Sequence, residues 1–472
     1  MSQLKTSTSL PNESNWKLFF NIFPASVASQ FVFMSVGVIN ALMAAKVSVA
    51  AMAAIGMIGS IFWSFNSLGV GLLSIILSKM SFAFGNGQAS QVGQIHRQTY
   101  YVILLASLFI IACDLIIAFN LDLFHLSEEM INIAKPFMLL SCVNVPLFLF
   151  IVHLRNINAC IAYTLPTLII SILGLILIVP LNMVFMYQEL PIIGHNPAFS
   201  AFTHIIINII YITVMLAIFK YKNNLYGQLK LFSPLVNSPK WKIIKDDFRL
   251  GIPAAFQYWL ENSFYALVVL LIAHLGTAVV GAHEAGMSTY SFAYAIAISG
   301  SATITSIVSR RLGEKRRDLA QDIFKNVTLF LVAFNIVSGI CLIVFRSYIA
   351  DLFITDNQEA HDIAQNLFIF LAFANFFDGL YASFIGYLIS FRDTRFAFLV
   401  AFIVSWCIAI PIASVFAFTT WLGVGNYGIY AYWTVFILIP LAASIICYLR
   451  TRLKWHSIPD RELFAILKKN IA

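Results

Sequence analysis

The chain has 472 residues, 60% of them hydrophobic and only 11% charged, with a mean hydropathy of +0.86. So little polar surface cannot cover a soluble globule of this size, which leaves a polytopic membrane protein. The formal net charge of +8 then reads as a signal of topology and not of nucleic-acid binding.

Residues 1–16 are polar and lack the apolar core and cleavage site of a signal peptide, so an unprocessed cytoplasmic segment is expected. Apolar runs long enough to cross a bilayer, which takes about 20 residues, then recur as far as Leu449. They lack the period-2 alternation of barrel strands and must satisfy their backbones internally, so they read as helices. The first six spans fall at about 18–45, 50–82, 98–120, 131–153, 163–187 and 197–219. A polar, basic stretch with Pro234 and Pro239 reads as a linker over 220–247. Six further spans follow at about 248–275, 278–309, 324–347, 361–391, 396–420 and 427–449, before a tail over 450–472. The expected units are therefore a first lobe at 17–219 and a second at 248–449.

With a cytoplasmic N-terminus, only Lys46, Lys135 and Arg346 of the 29 lysines and arginines fall on the far side. That asymmetry supports twelve spans with both termini cytoplasmic. The cluster SRRLGEKRRD, residues 309–318, is accordingly expected near anionic headgroups. Six cysteines lie in or beside apolar runs without CxxC spacing, pointing to neither metal nor disulfides.

The two halves repeat. Pro24 pairs with Pro253, Gly85 with Gly313, Thr164 with Thr394 and Pro180 with Pro411, at offsets of 228 to 231. A duplicated six-helix unit inserts both copies from the same side, and two lobes flanking one cavity suit alternating access.

Polar residues inside the spans are the candidate site. An acid at mid-membrane costs about 2.5 to 3.5 kcal/mol even on lenient scales, so Glu261 must face protein, water or a cation. Asp378 lies at similar depth, as does Tyr294, with Tyr290 nearby and Glu284 closer to the outer end. Carboxylate and phenol oxygens suit Na⁺, and a buried carboxylate can equally carry H⁺. Asp114 is expected to be structural, and His153, His204, His274 and His283 to lie near span ends as interfacial groups.

The run LGIPAAFQYWLENSFYALVVLLIAHLGTAVVGAHEAGMSTYSF, residues 250–292, resembles the seventh and eighth helices of multidrug and toxic compound extrusion (MATE) transporters, especially their NorM-like branch. The resemblance continues through RRLGEKRRDLA, ANFFDGLYASFIGYLISFRDT, SLGVGLLSIILSKMSFAFGNGQ and TLIISILGLILIVPLNMVFMYQ. It implies an all-α membrane protein of twelve helices in two pseudo-symmetric, V-shaped lobes. Such a protein is not an enzyme, needs no cofactor, and exports organic, often cationic, drugs or metabolites in exchange for Na⁺ or H⁺. Glu261 and Asp378 match the family's cation-binding acids, where Na⁺ would sit, and Tyr294 matches a phenol beside them. Glu284 stands where relatives usually carry Gln, and Pro24 looks like the first-helix proline that permits bending.

Asn40 departs from the pattern, since relatives usually place an aspartate there. An amide takes up no proton at physiological pH, so coupling is expected in the second lobe alone. The loop YQELPIIGHNPAFSAF also lacks the glycine-rich sequence common in relatives. The substrate cavity is expected to include Asn40, Phe65, Asn66, Asn182, Tyr258 and Trp259, whose aromatic faces would hold flat cations at about 1 to 2 kcal/mol each. The implied setting is the bacterial inner membrane, with a small organic substrate and membrane lipid as partners, no nucleic acid, and a monomer.

Two alternatives stay open. A flippase for a lipid-linked sugar or other amphiphile would line its cavity with basic residues, whereas Arg155 is the only one within reach of the first lobe's interior. A membrane-embedded enzyme is the second, but HExxH, GxSxG and intramembrane carboxylates paired at helical spacing are all absent from the sequence.

Overall fold

The computed structural model describes residues 13–124, 126–188, 196–234, 238–272, 275–354, 357–418 and 428–469. The first lobe comprises α1 (Asn15–Ala45), α2 (Val49–Gly85), α3 (Ala89–Ala118), α4 (Glu128–Cys160), α5 (Leu165–Phe185) and α6 (Ser200–Tyr221). The second comprises α7 (Trp241–Ile272), α8 (Thr277–Gly313), α9 (Arg317–Val344), α10 (Gln358–Ser390), α11 (Thr394–Phe418) and α12 (Ile429–Arg450). An amphipathic α13 (Asp460–Lys469) forms part of the tail. Among the described residues eleven of these helices are long and apolar enough to cross a membrane, and α7, which carries Glu261, completes the twelve.

Local chemistry sets several helix starts. Ser14, Ser48, Ser127 and Asn357 stand just before α1, α2, α4 and α10, and each side-chain oxygen accepts a backbone N–H of the first turn. Many outward-facing side chains, such as Leu108, Ile169, Ile176 and Ile340, are exposed and apolar, as a lipid-facing surface requires. In α11 the expected single helix is interrupted by a π segment, Phe402–Ala409, immediately before Pro411. Proline lacks an N–H, and a π turn re-routes carbonyls that an α-helix would leave unmet.

The duplication reaches the backbone. Gly87 and Lys315 take positive φ two residues beyond α2 and α8, and Ala162 and Arg392 do so beyond α4 and α10. The turns thus repeat at the same offset as the sequence.

The lobes meet at the end of the molecule that holds both described termini and most of the basic residues. There α2 packs on α7 and α8. Gly85 lies against the Arg310 carbonyl, while its counterpart Gly313 lies against the carbonyl of Phe82. The Ser309 hydroxyl donates to Ser78 at 3.0 Å, and Ser81 meets Ser306 at 3.4 Å. Each contact is the other's image under the repeat, so SKMSFAFG (78–85) and SIVSRRLG (306–313) form a self-complementary crossing of small residues. Away from this crossing the lobes diverge: Gly37, Gly56, Gly59 and Gly281 all face open space.

Charges reinforce the closed end. Arg310 pairs with Glu13 at 3.1 Å and with Glu314 at 3.3 Å, and Arg311 pairs with Glu314 at 2.6 Å. Arg310 and Arg311 are therefore buried in protein and do not face headgroups, contrary to the sequence expectation. Lys79 of α2 and Asp247 of α7 form a buried ion pair at 2.5 Å across the lobes. Lys79→Met strands that aspartate, and losing one partner of a buried pair costs about 3 to 5 kcal/mol. The thermal midpoint in detergent is expected to fall clearly below that of the wild type, and an unchanged midpoint would show that the pair is not structural.

Candidate functional site

One cavity of about 680 Å³ lies between the lobes and is lined by both. Its second-lobe wall holds the acids. Glu261 of α7 accepts two hydrogen bonds on Oε1, from Gln257 Nε2 at 2.8 Å and from the Tyr381 hydroxyl of α10 at 2.8 Å. Gln257 and Tyr265 sit one turn on either side of Glu261 along α7. Asp378, one turn before Tyr381, lies beside the Tyr290 hydroxyl, which meets Tyr265 OH at 2.8 Å. Tyr294 lines the same wall, its ring tilted 34° to that of Tyr290 with centroids 5.9 Å apart. Three helices thus bring two acids and four phenols onto one wall. Glu284 also lines the cavity but is exposed, toward the divergent end.

Hard oxygen donors in this number can hold a monovalent cation, and either acid can instead take a proton. Glu261 Oε2 accepts no hydrogen bond among the described residues, which leaves it free for that partner. No cluster of three or more metal-ligating His, Cys, Asp or Glu residues occurs among the described residues. The donor set fits an alkali cation or a proton better than a transition metal.

The first-lobe wall differs. Asn40 lines the cavity, and its Oδ1 accepts from Asn182 Nδ2 at 2.9 Å. Asn182 is therefore spent on Asn40 and does not line the cavity. Asn66 is fully buried and donates to the Phe62 carbonyl of its own helix at 2.8 Å. Phe65 and Trp259 pack against the core, so of the six expected lining residues only Asn40 and Tyr258 are found in the wall. Phe33, Trp63 and Phe148, which the sequence reading missed, make the aromatic surface, with Trp63 5.7 Å from Phe33 and 6.1 Å from Phe148. Trp63 also ties the lobes together by donating to Asn262 at 3.0 Å.

Of the four histidines expected to be interfacial, the three among the described residues sit inside the protein or on the cavity wall. His153 is fully buried, with Nε2 2.8 Å from His96 Nδ1, and His283 accepts from the Trp433 indole at 3.2 Å. His204 lines the cavity, while His274 lies outside the described residues. Asp114 is 1% exposed, and among the described residues neither carboxylate oxygen has a hydrogen-bond partner. α1 continues as a helix through Pro24.

Comparison with known proteins agrees with this architecture. The MatE family profile matches residues 25–184 and 253–415, one stretch in each lobe. The chain is 28% identical to the probable multidrug resistance protein NorM of Pasteurella multocida over 456 residues, covering 96% of this chain and 97% of that one. It is 28% identical to the multidrug resistance protein NorM of Vibrio cholerae over 447 residues, covering 93% and 94%. Among solved structures it is similar to the eukaryotic MATE transporter AtDTX14, with a TM-score of 0.87, 17% identity and coverage of 97% and 99%. It is also similar to an outward-facing multidrug resistance MATE family transporter, with a TM-score of 0.80, 13% identity and 97% of both chains covered.

Proposed function

Because the chain belongs to the MatE family of membrane transporters, we propose that it exports organic compounds by antiport against Na⁺ or H⁺, with Glu261 and Asp378 binding the coupling ion. The observation that carries this reading is the pairing of both acids, ringed by phenols, on one wall of a cavity shared by the two lobes. The basic end, with both termini, is cytoplasmic by the charge asymmetry, in a bacterial inner membrane, and the chain works as a monomer. The closed crossing of α2 and α8 then makes this the state open to the outside.

In that state the coupling ion enters from outside and meets carboxylates whose hydrogen-bond donors are already oriented. Binding neutralises charge inside the membrane, which favours closing that side over the site. With the inner side open, a cationic substrate finds the same acids and the aromatic surface of Phe33, Trp63 and Phe148. Tyr294 supplies a further oxygen beside the acids, and Glu284 raises the local cation concentration at the outer mouth. Substrate and ion compete for one set of charges, so each expels the other.

Asn40 is the informative control. If the second lobe alone couples, Asn40→Ala removes the bond from Asn182 and changes substrate affinity by roughly tenfold at most, since a neutral hydrogen bond is worth about 1 kcal/mol. Dependence on the ion gradient is expected to persist. Uptake into inverted vesicles under imposed gradients reads it, and lost ion dependence at normal expression would place coupling in the first lobe as well.

A further inference from the structure

The acids of the second lobe leave unexplained a charge on the opposite wall of the same cavity. Arg155 of α4 lines it, and among the described residues its hydrogen bond goes to a neutral group, Gln30 Oε1, at 3.2 Å, with no carboxylate in ion-pair range. At the basic end Arg310, Arg311 and Arg450 meet carboxylates, whereas Arg97 and Arg392 donate to backbone carbonyls. A cation inside the membrane is costly unless an anion or water meets it, and Arg155 offers a planar fork of donors that is mostly unused.

Its surroundings are those of an anion cradle. Tyr211 of α6 lines the same wall and is 6% exposed, and among the described residues its hydroxyl makes no hydrogen bond of normal geometry, with Thr167 and Ser171 as its polar neighbours. His204 and Asn208 stand on the same helix facing the cavity, and Asn208 is held by Asn144 at 2.7 Å. Gln30 lies about 22 Å along α1 from the closed end and Asp378 about 18 Å along α10 from that end, at 1.5 Å per residue. On its own helix Arg155 lies about 8 Å from the closed end at Cys160, so the cation sits on the opposite wall of the cavity and nearer the closed end than the acids.

We infer that Arg155, with Tyr211 and Gln30, forms an anion subsite that takes the carboxylate of a substrate whose cationic centre goes to Glu261 and Asp378. The preferred cargo is then amphoteric, carrying an amine cation at one end and a carboxylate at the other, in preference to a plain cation. This rests on the exporter reading above and adds to it the chemical class of substrate. A lone cation leaves Arg155 without an anion, whereas an amphoteric compound satisfies both walls at once. Bidentate pairing of a carboxylate on the guanidinium gives direction as well as attraction.

A matched pair of rhodamine dyes tests it: the free acid, which is zwitterionic, and its ethyl ester, which is a cation only. Equilibrium binding to the purified full-length protein is measured in gluconate buffer for wild type and Arg155→Gln. The wild type is expected to bind the free acid tighter than the ester. Arg155→Gln is expected to weaken the free acid by roughly tenfold or more while leaving the ester within about twofold, as loss of a charge-assisted hydrogen bond implies. The ester arm controls for folding. A wild type that does not prefer the free acid, or an equal effect of the substitution on both dyes, overturns the proposal. Should Arg155→Gln fail to fold, Arg155→Lys and Tyr211→Phe carry the test, with a selective partial loss for the free acid expected and equal losses contradicting it. Replacing gluconate by chloride separates the two sources of anion. Ester binding that requires chloride in the wild type but not in the variant would make this a chloride site and overturn the proposal. Failure of the exporter reading is distinguishable, because it shows as absence of gradient-driven dye movement whatever the dyes' relative affinities.

Discussion

Glu261→Gln is expected to lower gradient-driven export by tenfold or more, as a rough figure for removing one member of a coupled charge unit, while the protein stays folded and inserted. The amide keeps the side chain's volume, and its oxygen can still accept from Gln257 and Tyr381, which now donate to the carboxylate at 2.8 Å each. What disappears is the negative charge, and with it the capacity to bind Na⁺ or take up H⁺. Asp378→Asn is expected to act in the same way, and the double variant scarcely worse than either single one, because groups that bind one ion do not act additively. Export by a normally expressed Glu261→Gln protein at the wild-type rate would remove this residue from the coupling site.

The second large effect belongs to the closed end. Gly85→Leu forces a branched side chain into the Arg310 carbonyl, and Gly313→Leu does the same against Phe82. Backbone cannot yield as a flexible side chain does, so α2 and α8 must separate, and contacts between close-packed helices are lost together. Either substitution is expected to cut export by roughly tenfold and to deplete the outward-open state, on the reasoning that a strain of only about 1.4 kcal/mol already shifts an equilibrium tenfold. Ser78→Cys combined with Ser309→Cys reads this directly, since those hydroxyls lie 3.0 Å apart. In a chain otherwise lacking cysteine, cross-linking is expected to be efficient with glycine at 85 and weak with leucine. Equal cross-linking in the two would show that the crossing tolerates the side chain.

How much of this was legible follows from what each signal reports. Hydropathy located twelve spans, because lipid-facing positions must be apolar along their whole length. It placed the helix ends less well: α7 begins at Trp241 and not near 248, and α4 runs on to Cys160 beyond 153. The α4 extension is partly polar on the sequence yet packed in protein, as Asn158 shows by donating to Thr167 at 3.1 Å, whereas the α7 extension exposes Trp241, Lys242 and Lys245 and buries Asp247. The repeat was visible as Gly85 matching Gly313, but not that the two copies touch each other, since an offset carries no information about contact. Glu261 and Asp378 stood out because acids are rare in spans. Tyr381 and Gln257 were within reach of the same logic, lying three residues after Asp378 and four before Glu261 on the same helix faces. Asn66 and Asn182 misled, because an amide in an apolar run can satisfy its own helix or a neighbour as readily as it can face a cavity. The π segment of α11 left no pattern in the sequence beyond Pro411.

The exporter account is tested most directly in proteoliposomes, by following efflux of a fluorescent organic cation under an imposed Na⁺ gradient, an imposed pH gradient, or neither. Wild type is expected to move dye against its concentration difference under at least one of the two gradients and not when neither is imposed, and Glu261→Gln and Asp378→Asn are expected to move it at roughly a tenth of the wild-type rate or less. Dye movement that is equally fast without any gradient, or that survives in both variants, would contradict coupling through the second-lobe acids.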